Sequence, residues 1–270
     1  MILVVGASGL IGSELTRLLR AQGQEVKTTT GKKGQAGYVN LQTGEGLKQA
    51  FDGVDRAFFL SPGGIADSYS ILSPLIQEAK RRGLQKVVLM TAMGANASDE
   101  TLFRRAEIEL EKSGLSYNII RPNWFMDNFT TYWIQSIRQG VLELPTKDAK
   151  TSFIDTRDIA AVAAKLLTDD SLRNRDFDLT GPESLTHAQI AAQISQVASH
   201  AVAYRNGTSE GLKKGLLGAG ASEDYANFLV LIMGFLAEGY NARVTTCVKD
   251  ITGREPRAFA AYAKEHASVF

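Results

Sequence analysis

Three glycines near the amino terminus are spaced as in a phosphate-binding turn. Within GASGLIG, Gly6, Gly9 and Gly12 stand between the apolar run ILVV and an amphipathic helical pattern. A strand that leads into a helix N-terminus presents unpaired backbone N–H groups and the positive end of the helix dipole, where a pyrophosphate binds. Gly6 permits the tight turn, Gly9 lets the backbone approach the phosphates, and Gly12 lets helix and strand pack closely. The sequence therefore predicts a dinucleotide site at Gly6, Ser8, Gly9, Leu10, Ile11 and Gly12; the alternative is a glycine-rich connection without a ligand.

The end of the second predicted strand, EVKTT, indicates which dinucleotide binds. An Asp or Glu at that end would accept hydrogen bonds from the ribose 2′-OH of NAD, but Glu25 stands at or before the start of the strand. Hydroxyl and ammonium groups follow, and these suit a 2′-phosphate. We predict NADP(H) in preference to NAD(H), with the adenosine end facing Thr28, Thr29, Thr30, Lys32 and Lys33. The alternative for the two lysines is a solvated loop, and no arginine occupies this turn.

Further ligand contacts are expected where later strands end, because ligands of open parallel sheets bind outside the carboxyl ends of the strands. The runs DRAFFL, KVVLMTA and SYNIIRP supply these ends. The predicted cofactor contacts are Leu60, Ser61 and Pro62 after the first run, Thr91 and Ala92 at the end of the second, and Pro122 at the end of the third. Thr91 is the candidate catalytic residue, as a hydrogen-bond donor to a substrate oxygen or to the nicotinamide ribose. The alternative is a hydroxyl satisfied by its own backbone.

An aromatic segment follows the run SYNIIRP. The residues predicted to form a wall for a flat substrate are Trp124, Phe125, Met126 and Phe129, with Tyr132 and Trp133 one helical turn farther on. Large aromatic side chains at helical spacing are also typical of a packed core, and that alternative stays open.

The elements that position these residues alternate between short apolar runs and helical patterns. The runs are ILVVG, EVKTT, AGYVN, DRAFFL, KVVLMTA and SYNIIRP, and the central ones are apolar throughout. This pattern is typical of parallel strands covered by helices on both faces. We predict an α/β fold, a Rossmann-type doubly wound parallel sheet with a small, mainly helical C-terminal substrate subdomain. Residues 1–150 would form the NAD(P)-binding domain, 151–182 would return a helix and a strand to it, and 183–270 would form the subdomain.

Composition narrows the classes of partner. The 270 residues carry 30 Lys and Arg against 29 Asp and Glu, so the net charge of +1 favours neither nucleic acid nor an anionic membrane. A single cysteine, Cys247, and three scattered histidines predict a metal-free protein without disulfides. The first apolar run is too short for a signal peptide and the longest later run is about half a membrane span, so we expect a cytoplasmic protein.

The remaining features are given structural interpretations. The run FLVLIMGFL is predicted to be a plain core helix, with a lid over the cofactor or a homodimer contact as alternatives. A helix is predicted from about Asn123, and Asp158 is interpreted as a helix cap. His187 is expected in the first turn of a helix after Thr186, and Cys247 is interpreted as a small buried residue.

Several stretches in order resemble those of one family. The stretches are the glycine turn, FDGVDRAFFLSP, GLQKVVLMTAMGA, SGLSYNIIRPNWFMDNF, FIDTRDIAAVAA, FDLTGPESLTHAQIA and ITGREPRAFAAYAKEH. Together they resemble the NmrA-like group of atypical short-chain dehydrogenases/reductases, which includes triphenylmethane reductases, NAD(P)H:quinone oxidoreductases and festuclavine dehydrogenases. The resemblance spans the whole chain and implies hydride transfer from a nicotinamide cofactor. Its members also include NADP-sensing regulators.

The acid that typical members of the wider family use has no counterpart here. Those enzymes protonate a carbonyl oxygen with a Tyr whose pKa is lowered by a Lys four residues on, and no Tyr-x-x-x-Lys occurs in this chain. Counting from Thr91, the tyrosine region reads TLFRRAEIE, in which Phe103 has no proton to give. A ketone reaction, which needs a positioned acid, is therefore disfavoured.

Acceptors that are already electrophilic fit this sequence better. Quinones, triarylmethyl cations and iminium ions accept hydride at one atom and spread the charge through a conjugated system. We predict an NAD(P)H-dependent reductase of a small conjugated organic substrate. The alternatives are a non-enzymatic NADP(H) redox sensor and, third, a sugar-nucleotide epimerase-like enzyme, which would need the absent Tyr/Lys pair.

Overall fold

A computed structural model describes all 270 residues of the chain. The strands are β1 Ile2–Val4, β2 Val26–Thr28, β3 Arg56–Phe59, β4 Lys86–Met90, β5 Tyr117–Pro122, β6 Val141–Leu144, β7 Lys150–Thr151, β8 Arg175–Leu179, β9 Leu185–Thr186 and β10 Ala203–Asn206. The α-helices are α1 Leu10–Ala21, α2 Leu47–Ala50, α3 Ser68–Arg82, α4 Leu102–Glu111, α5 Ile134–Arg138, α6 Thr156–Thr168, α7 His187–Val197, α8 Ser209–Gly218, α9 Glu223–Ala237, α10 Cys247–Thr252 and α11 Phe259–Glu265. Short 3₁₀ turns cover Ala95–Ala97 and Met126–Phe129. None of the helices has the length and apolar character needed to cross a membrane.

The chain forms two compact units. The first, here called the sheet unit, comprises Met1–Pro122, Thr156–Leu179 and Cys247–Gly253; the second, the mixed unit, comprises Asn123–Asp155, Thr180–Thr246 and Arg254–Phe270. The predicted division put residues 123–150 with the sheet, whereas here they group with later residues. One reason is local pairing, since Phe125 bridges to Ile154 and β7 pairs with β9.

The sheet unit has the predicted doubly wound architecture. Its six strands are all parallel, in the order β2-β1-β3-β4-β5-β8. Helices α1 and α6 pack together, as do α3 and α4. Alternate side chains of the central strands, such as Val87 and Leu89, enter the core that α3 and α4 cover. Burial on both faces explains why these strands are apolar throughout, and the predicted fold class is confirmed.

Three local predictions were wrong. AGYVN forms no strand, because Gly34 and Gly37 have positive φ and only a single bridge joins Thr30 to Tyr38. No long helix begins at Asn123: a 3₁₀ turn and the short helix α5 follow instead. Asp158 does not stand at the N-cap position of α6, which already begins at Thr156 and holds Asp158 within its first turn.

The apolar run FLVLIMGFL is not the core helix that we predicted. It lies in α9, where only Ala226, Met233 and Leu236 are buried, while Leu231 is 57% and Phe235 is 49% exposed. Its neighbour α8 buries no residue, so the two helices form a surface hairpin. Cys247 at the start of α10 is half-buried rather than buried.

The mixed unit has an aromatic core built around His187. This residue begins α7 directly after its N-cap Thr186, as predicted. Its ring lies edge-on to Phe153, with the ring centroids 5.4 Å apart and the planes at 90°. Nδ1 lies 3.0 Å from the Thr146 hydroxyl, while Nε2 has no hydrogen-bond partner. Burial lowers the pKa of His187 to about 4, because a cation among aromatic rings would lose its hydration.

Acid should therefore destabilise the protein through His187. The unfolded chain binds a proton near pH 6.5 and the folded protein only near pH 4, so stability falls as the pH drops through this window. A depression of this size corresponds to about 3 kcal/mol at pH 4. In urea unfolding, we expect the free energy of unfolding of His187→Phe to fall less between pH 7 and pH 4 than that of the wild type, by this amount. His200→Phe should show the same fall as the wild type. Parallel profiles for wild type and His187→Phe would contradict this assignment.

Candidate functional site

The glycine turn in the sheet unit has the geometry of a phosphate site. Gly6 has φ +74°, and its N–H donates to the Thr29 hydroxyl over 3.3 Å. A Cβ on Gly12 would lie 2.2 Å from the Gly6 carbonyl oxygen, so only glycine fits where α1 meets the turn. Gly9 precedes α1 as its N-cap, and no side chain caps the helix. The first N–H groups of α1 thus have no helical partners.

A dinucleotide pyrophosphate fits this turn. Ser8, Gly9 and Leu10 are exposed, and a Cβ on Gly9 would meet only the Gly6 oxygen, at 3.4 Å. Space therefore exists over Gly9, where a ligand has to approach the backbone. The Ile11 side chain is buried, so this residue can offer a ligand only its backbone. The predicted roles of Gly6, Gly9 and Gly12 agree with this local geometry.

The residues after β2 divide into two groups. Thr29 is buried and its hydroxyl accepts a hydrogen bond from the Gly6 N–H, so it stabilises the glycine turn. Thr30 closes a loop: its N–H donates to the Gly37 oxygen over 3.0 Å, and its hydroxyl accepts from the Lys32 N–H over 3.2 Å. Lys32 and Lys33 are exposed in that loop and form no ion pair within the chain. Two ammonium groups are therefore free to meet an anionic ligand.

The carboxyl end of β3 lies beside the glycine turn. A Cβ on Gly6 would be 3.2 Å from Cδ1 of Leu60, so Leu60 forms the floor of the turn. The Ser61 hydroxyl is buried without a hydrogen-bond partner, and Pro62 follows it half-buried. An orphaned hydroxyl at this edge agrees with a missing polar ligand, since buried polar atoms ordinarily have partners.

Thr91, Ala92 and Pro122 mark the neighbouring strand ends. The Thr91 N–H donates to the Ile120 oxygen, and the Met93 N–H to the Pro122 oxygen, both over 3.0 Å. The side chain of Thr91 has a partner that we did not predict. Its hydroxyl donates neither to its own backbone nor outward, but to Oε1 of Glu107 over 2.6 Å. Because a hydroxyl has only one proton, donation to a substrate oxygen or to the nicotinamide ribose would require Thr91 to release Glu107, and that catalytic role stays a prediction.

Glu107 belongs to a buried ionic cluster that sequence reasoning missed. Arg121 donates to both of its oxygens, from Nε over 2.8 Å and from Nη2 over 2.7 Å. Arg104 adds a bond of 3.1 Å, and Arg121 also donates to Asp176. Glu107 and Arg121 are almost fully buried, so each charge depends on the other. The sequence did contain a signal for this cluster. Glu107 stands four residues after Phe103, at the position that the Lys of a Tyr/Lys pair would occupy, and Arg121 interrupts an apolar strand.

The predicted aromatic wall is partly core. Met126 and Phe129 are buried in the mixed unit, where Phe129 packs against Phe153 and Phe259. These two residues therefore hold the segment in place, and their contact with a substrate stays a prediction. Trp124 and Phe125 are half-buried and remain candidates. The Trp124 ring stacks on the Trp133 ring, with the ring centroids 6.4 Å apart. Trp133 is one of the two aromatic residues that we expected one helical turn farther on.

Asn123 fixes the start of this aromatic segment. Its side-chain amide donates to the Ser152 hydroxyl over 2.7 Å and to the Asn241 oxygen over 2.9 Å. Its own side-chain oxygen accepts from the Trp124 N–H over 2.9 Å and from Asn241 over 3.0 Å. All four hydrogen-bonding groups of the amide are thus used. Trp124 is held next to the loop that follows α9, a contact no sequence pattern indicated.

The chain belongs to the NAD(P)H-binding family, whose sequence profile matches residues 6–170. It is similar to the NAD(P)H azoreductase of Xenophilus azovorans, with 34% identity over all of this chain and 99% of that protein. Two solved structures share the fold. A nucleoside-diphosphate-sugar epimerase from Staphylococcus aureus has TM-score 0.84 at 17% identity, covering 97% of this chain and 99% of its own. The Citrobacter triphenylmethane reductase complexed with NADP(H) has TM-score 0.80 at 18% identity, covering 98% and 99%. The resemblance drawn from the sequence motifs is confirmed.

Gly9→Asp should separate folding from cofactor binding. Asp is a preferred N-cap residue and α1 has no side-chain cap, so the melting temperature should stay level or rise. The same carboxylate would repel a pyrophosphate, and we expect NADPH binding in a fluorescence titration to weaken by on the order of a hundredfold or more. Gly215→Asp, in an open position of α8, is the control with unchanged affinity. A folded Gly9→Asp protein with wild-type affinity would refute the site.

Proposed function

We propose that this NAD(P)H-dependent oxidoreductase transfers hydride to a flat, conjugated, mostly apolar acceptor, such as a quinone, an iminium ion, a triarylmethane dye or an azo compound. The observation that carries this proposal is the commitment of the Thr91 proton to Glu107. Phe103 stands at the tyrosine position and no Tyr-x-x-x-Lys occurs in the chain. The proposed mechanism therefore uses no side-chain acid, which disfavours a ketone acceptor.

Conjugated acceptors do not need such an acid during hydride transfer. When bound, a reduced nicotinamide supplies the hydride. The acceptor takes it at one atom and delocalises the developing charge, and a solvent proton completes the reaction afterwards. The contribution of the chain is then to bind and orient the reactants, which by itself lowers a barrier substantially. The relative named an azoreductase supports an acceptor of this conjugated kind.

Trp124 and Phe125 are the residues that we propose bind the acceptor. Both are half-buried, so each offers part of an aromatic face while the rest is fixed by packing. The Asn123 amide and the stacked Trp133 ring restrict Trp124 further. A rigid aromatic surface favours flat partners, because stacking then costs little conformational entropy.

We further propose that NADP(H) is preferred over NAD(H). Lys32 and Lys33 support this choice, since they are exposed and form no ion pair within the chain. The Thr30 hydroxyl holds the backbone of their loop through the Lys32 N–H. Glu25 lies before β2, so no carboxylate stands at the strand end to repel a 2′-phosphate. The structure complexed with NADP(H) among the relatives agrees with this preference.

Replacing Lys32 and Lys33 together with Ala should therefore change cofactor preference. We expect the dissociation constant for NADPH to rise about tenfold, because two charge-assisted contacts are lost at an exposed site. The constant for NADH should stay within about twofold, since NADH lacks the 2′-phosphate. A matched control replaces Lys213 and Lys214, which lie on α8 of the mixed unit. Equal losses for both cofactors would show that Lys32 and Lys33 are solvated bystanders.

The acceptor class is tested by NADPH oxidation with a small panel. The panel contains a naphthoquinone, a triarylmethane dye, a cyclic iminium ion, an azo dye and a simple ketone. We expect turnover with conjugated members and none with the ketone, because the proposed mechanism supplies no acid for a ketone oxygen. The Gly9→Asp protein is the control for non-enzymatic reduction of the acceptors by NADPH, because it should not bind the cofactor. Ketone turnover would overturn the acid-free mechanism, and tight NADPH binding without any turnover would favour a redox sensor.

A further inference from the structure

Thr91 has no hydrogen left to donate. Its N–H donates to the Ile120 oxygen over 3.0 Å and its hydroxyl to Glu107 over 2.6 Å. The second distance is typical of a hydroxyl bound to a carboxylate. What remains for a ligand is the acceptor capacity of the hydroxyl oxygen, which has two lone pairs.

The direction of the Thr91 hydrogen bond is fixed by the groups behind Glu107. Three guanidinium N–H groups point at the Glu107 carboxylate, two from Arg121 and one from Arg104. Guanidinium groups can only donate, so both oxygens of Glu107 are acceptors. Rotation of the hydroxyl away from Glu107 would also leave a buried carboxylate with one partner fewer, which is unfavourable.

Thr91 sits at the edge of the sheet where we propose that the cofactor binds. It follows β4 directly, at the carboxyl edge of the parallel sheet, and 4% of its surface is exposed. Ligands of such sheets bind outside this edge. A ligand carbonyl placed there would face a second acceptor, whereas an N–H or O–H group would form a hydrogen bond.

We infer that Thr91 is an acceptor-only contact that binds an N–H or O–H donor on the nicotinamide half of the cofactor, with Glu107 as the positioning residue that sets this polarity. The inference rests on the proposed NAD(P)H-dependent function. The matching donors are the carboxamide N–H group and the hydroxyls of the nicotinamide ribose. Thr91 thus selects for the cofactor and gives no assistance to a substrate carbonyl.

NADPH titrations of the whole protein with Thr91 variants test this inference. We expect Thr91→Val to weaken NADPH binding about fivefold to tenfold, because one hydrogen bond is lost. Thr91→Ser keeps the hydroxyl and should stay within about twofold of wild type. Thr151→Val is the matched control, since that buried hydroxyl in the mixed unit has no partner and its loss should leave NADPH affinity unchanged. If Thr91→Val does not fold, as judged by circular dichroism, the comparison uses Thr91→Ala against Thr91→Ser.

The reduced 3-acetylpyridine analogue of NADPH separates the two donors, because it lacks the carboxamide N–H group. If the Thr91→Val loss disappears with this analogue, the carboxamide is the donor; if the loss persists, the ribose hydroxyl is. Wild-type NADPH affinity in both Thr91→Val and Thr91→Ser, or a change in melting temperature alone, would overturn the inference and leave the proposed function standing. Failure of the wild-type protein to bind NADPH would overturn both.

Discussion

The arrangement of the sheet unit depends on how closely α1 approaches the end of β1. The Gly12 backbone lies against the Gly6 carbonyl, where a Cβ would come within 2.2 Å of its oxygen. Any side chain at position 12 would push the helix away and lift its first N–H groups off the turn. The positive φ of Gly6 and the brace from the Thr29 hydroxyl hold the other side of the same turn. A phosphate site of backbone groups needs this rigidity, because it has no side chain to adjust.

A buried carboxylate organises the other strand ends. Glu107 draws together α4, β5 and the end of β4 through Arg121 and Thr91. Burying a charge is costly unless every lone pair is satisfied, and here two guanidinium groups and a hydroxyl do so. The cluster also engages the hydroxyl of Thr91, the residue for which we predicted a catalytic role. The same contacts that engage the Thr91 hydroxyl also hold the ends of β4 and β5 together.

In the mixed unit, buried aromatic residues support the segment that begins at Asn123, while other residues of that segment remain partly exposed. Phe153 and Phe259 each pack edge to face on Phe129 and fix the segment that begins at Asn123. Trp124, held by the Asn123 amide, keeps part of its surface exposed. The α8–α9 hairpin contrasts with this core, since its apolar residues Leu231 and Phe235 face outward. High local hydrophobicity thus marks a core element in one segment and a surface element in another.

The sequence by itself determined the parallel sheet and the glycine turn. Both depend on local patterns, namely apolar runs at regular spacing and glycines at positions that tolerate no side chain. Phe103 at the tyrosine position was likewise visible in the sequence. Tertiary structure alone decided which way the Thr91 proton points, because its partner Glu107 lies sixteen residues away on another element. It also decided that Met126 and Phe129 are core while Trp124 and Phe125 are half-exposed, since a run of adjacent apolar residues does not specify which of them packing will cover.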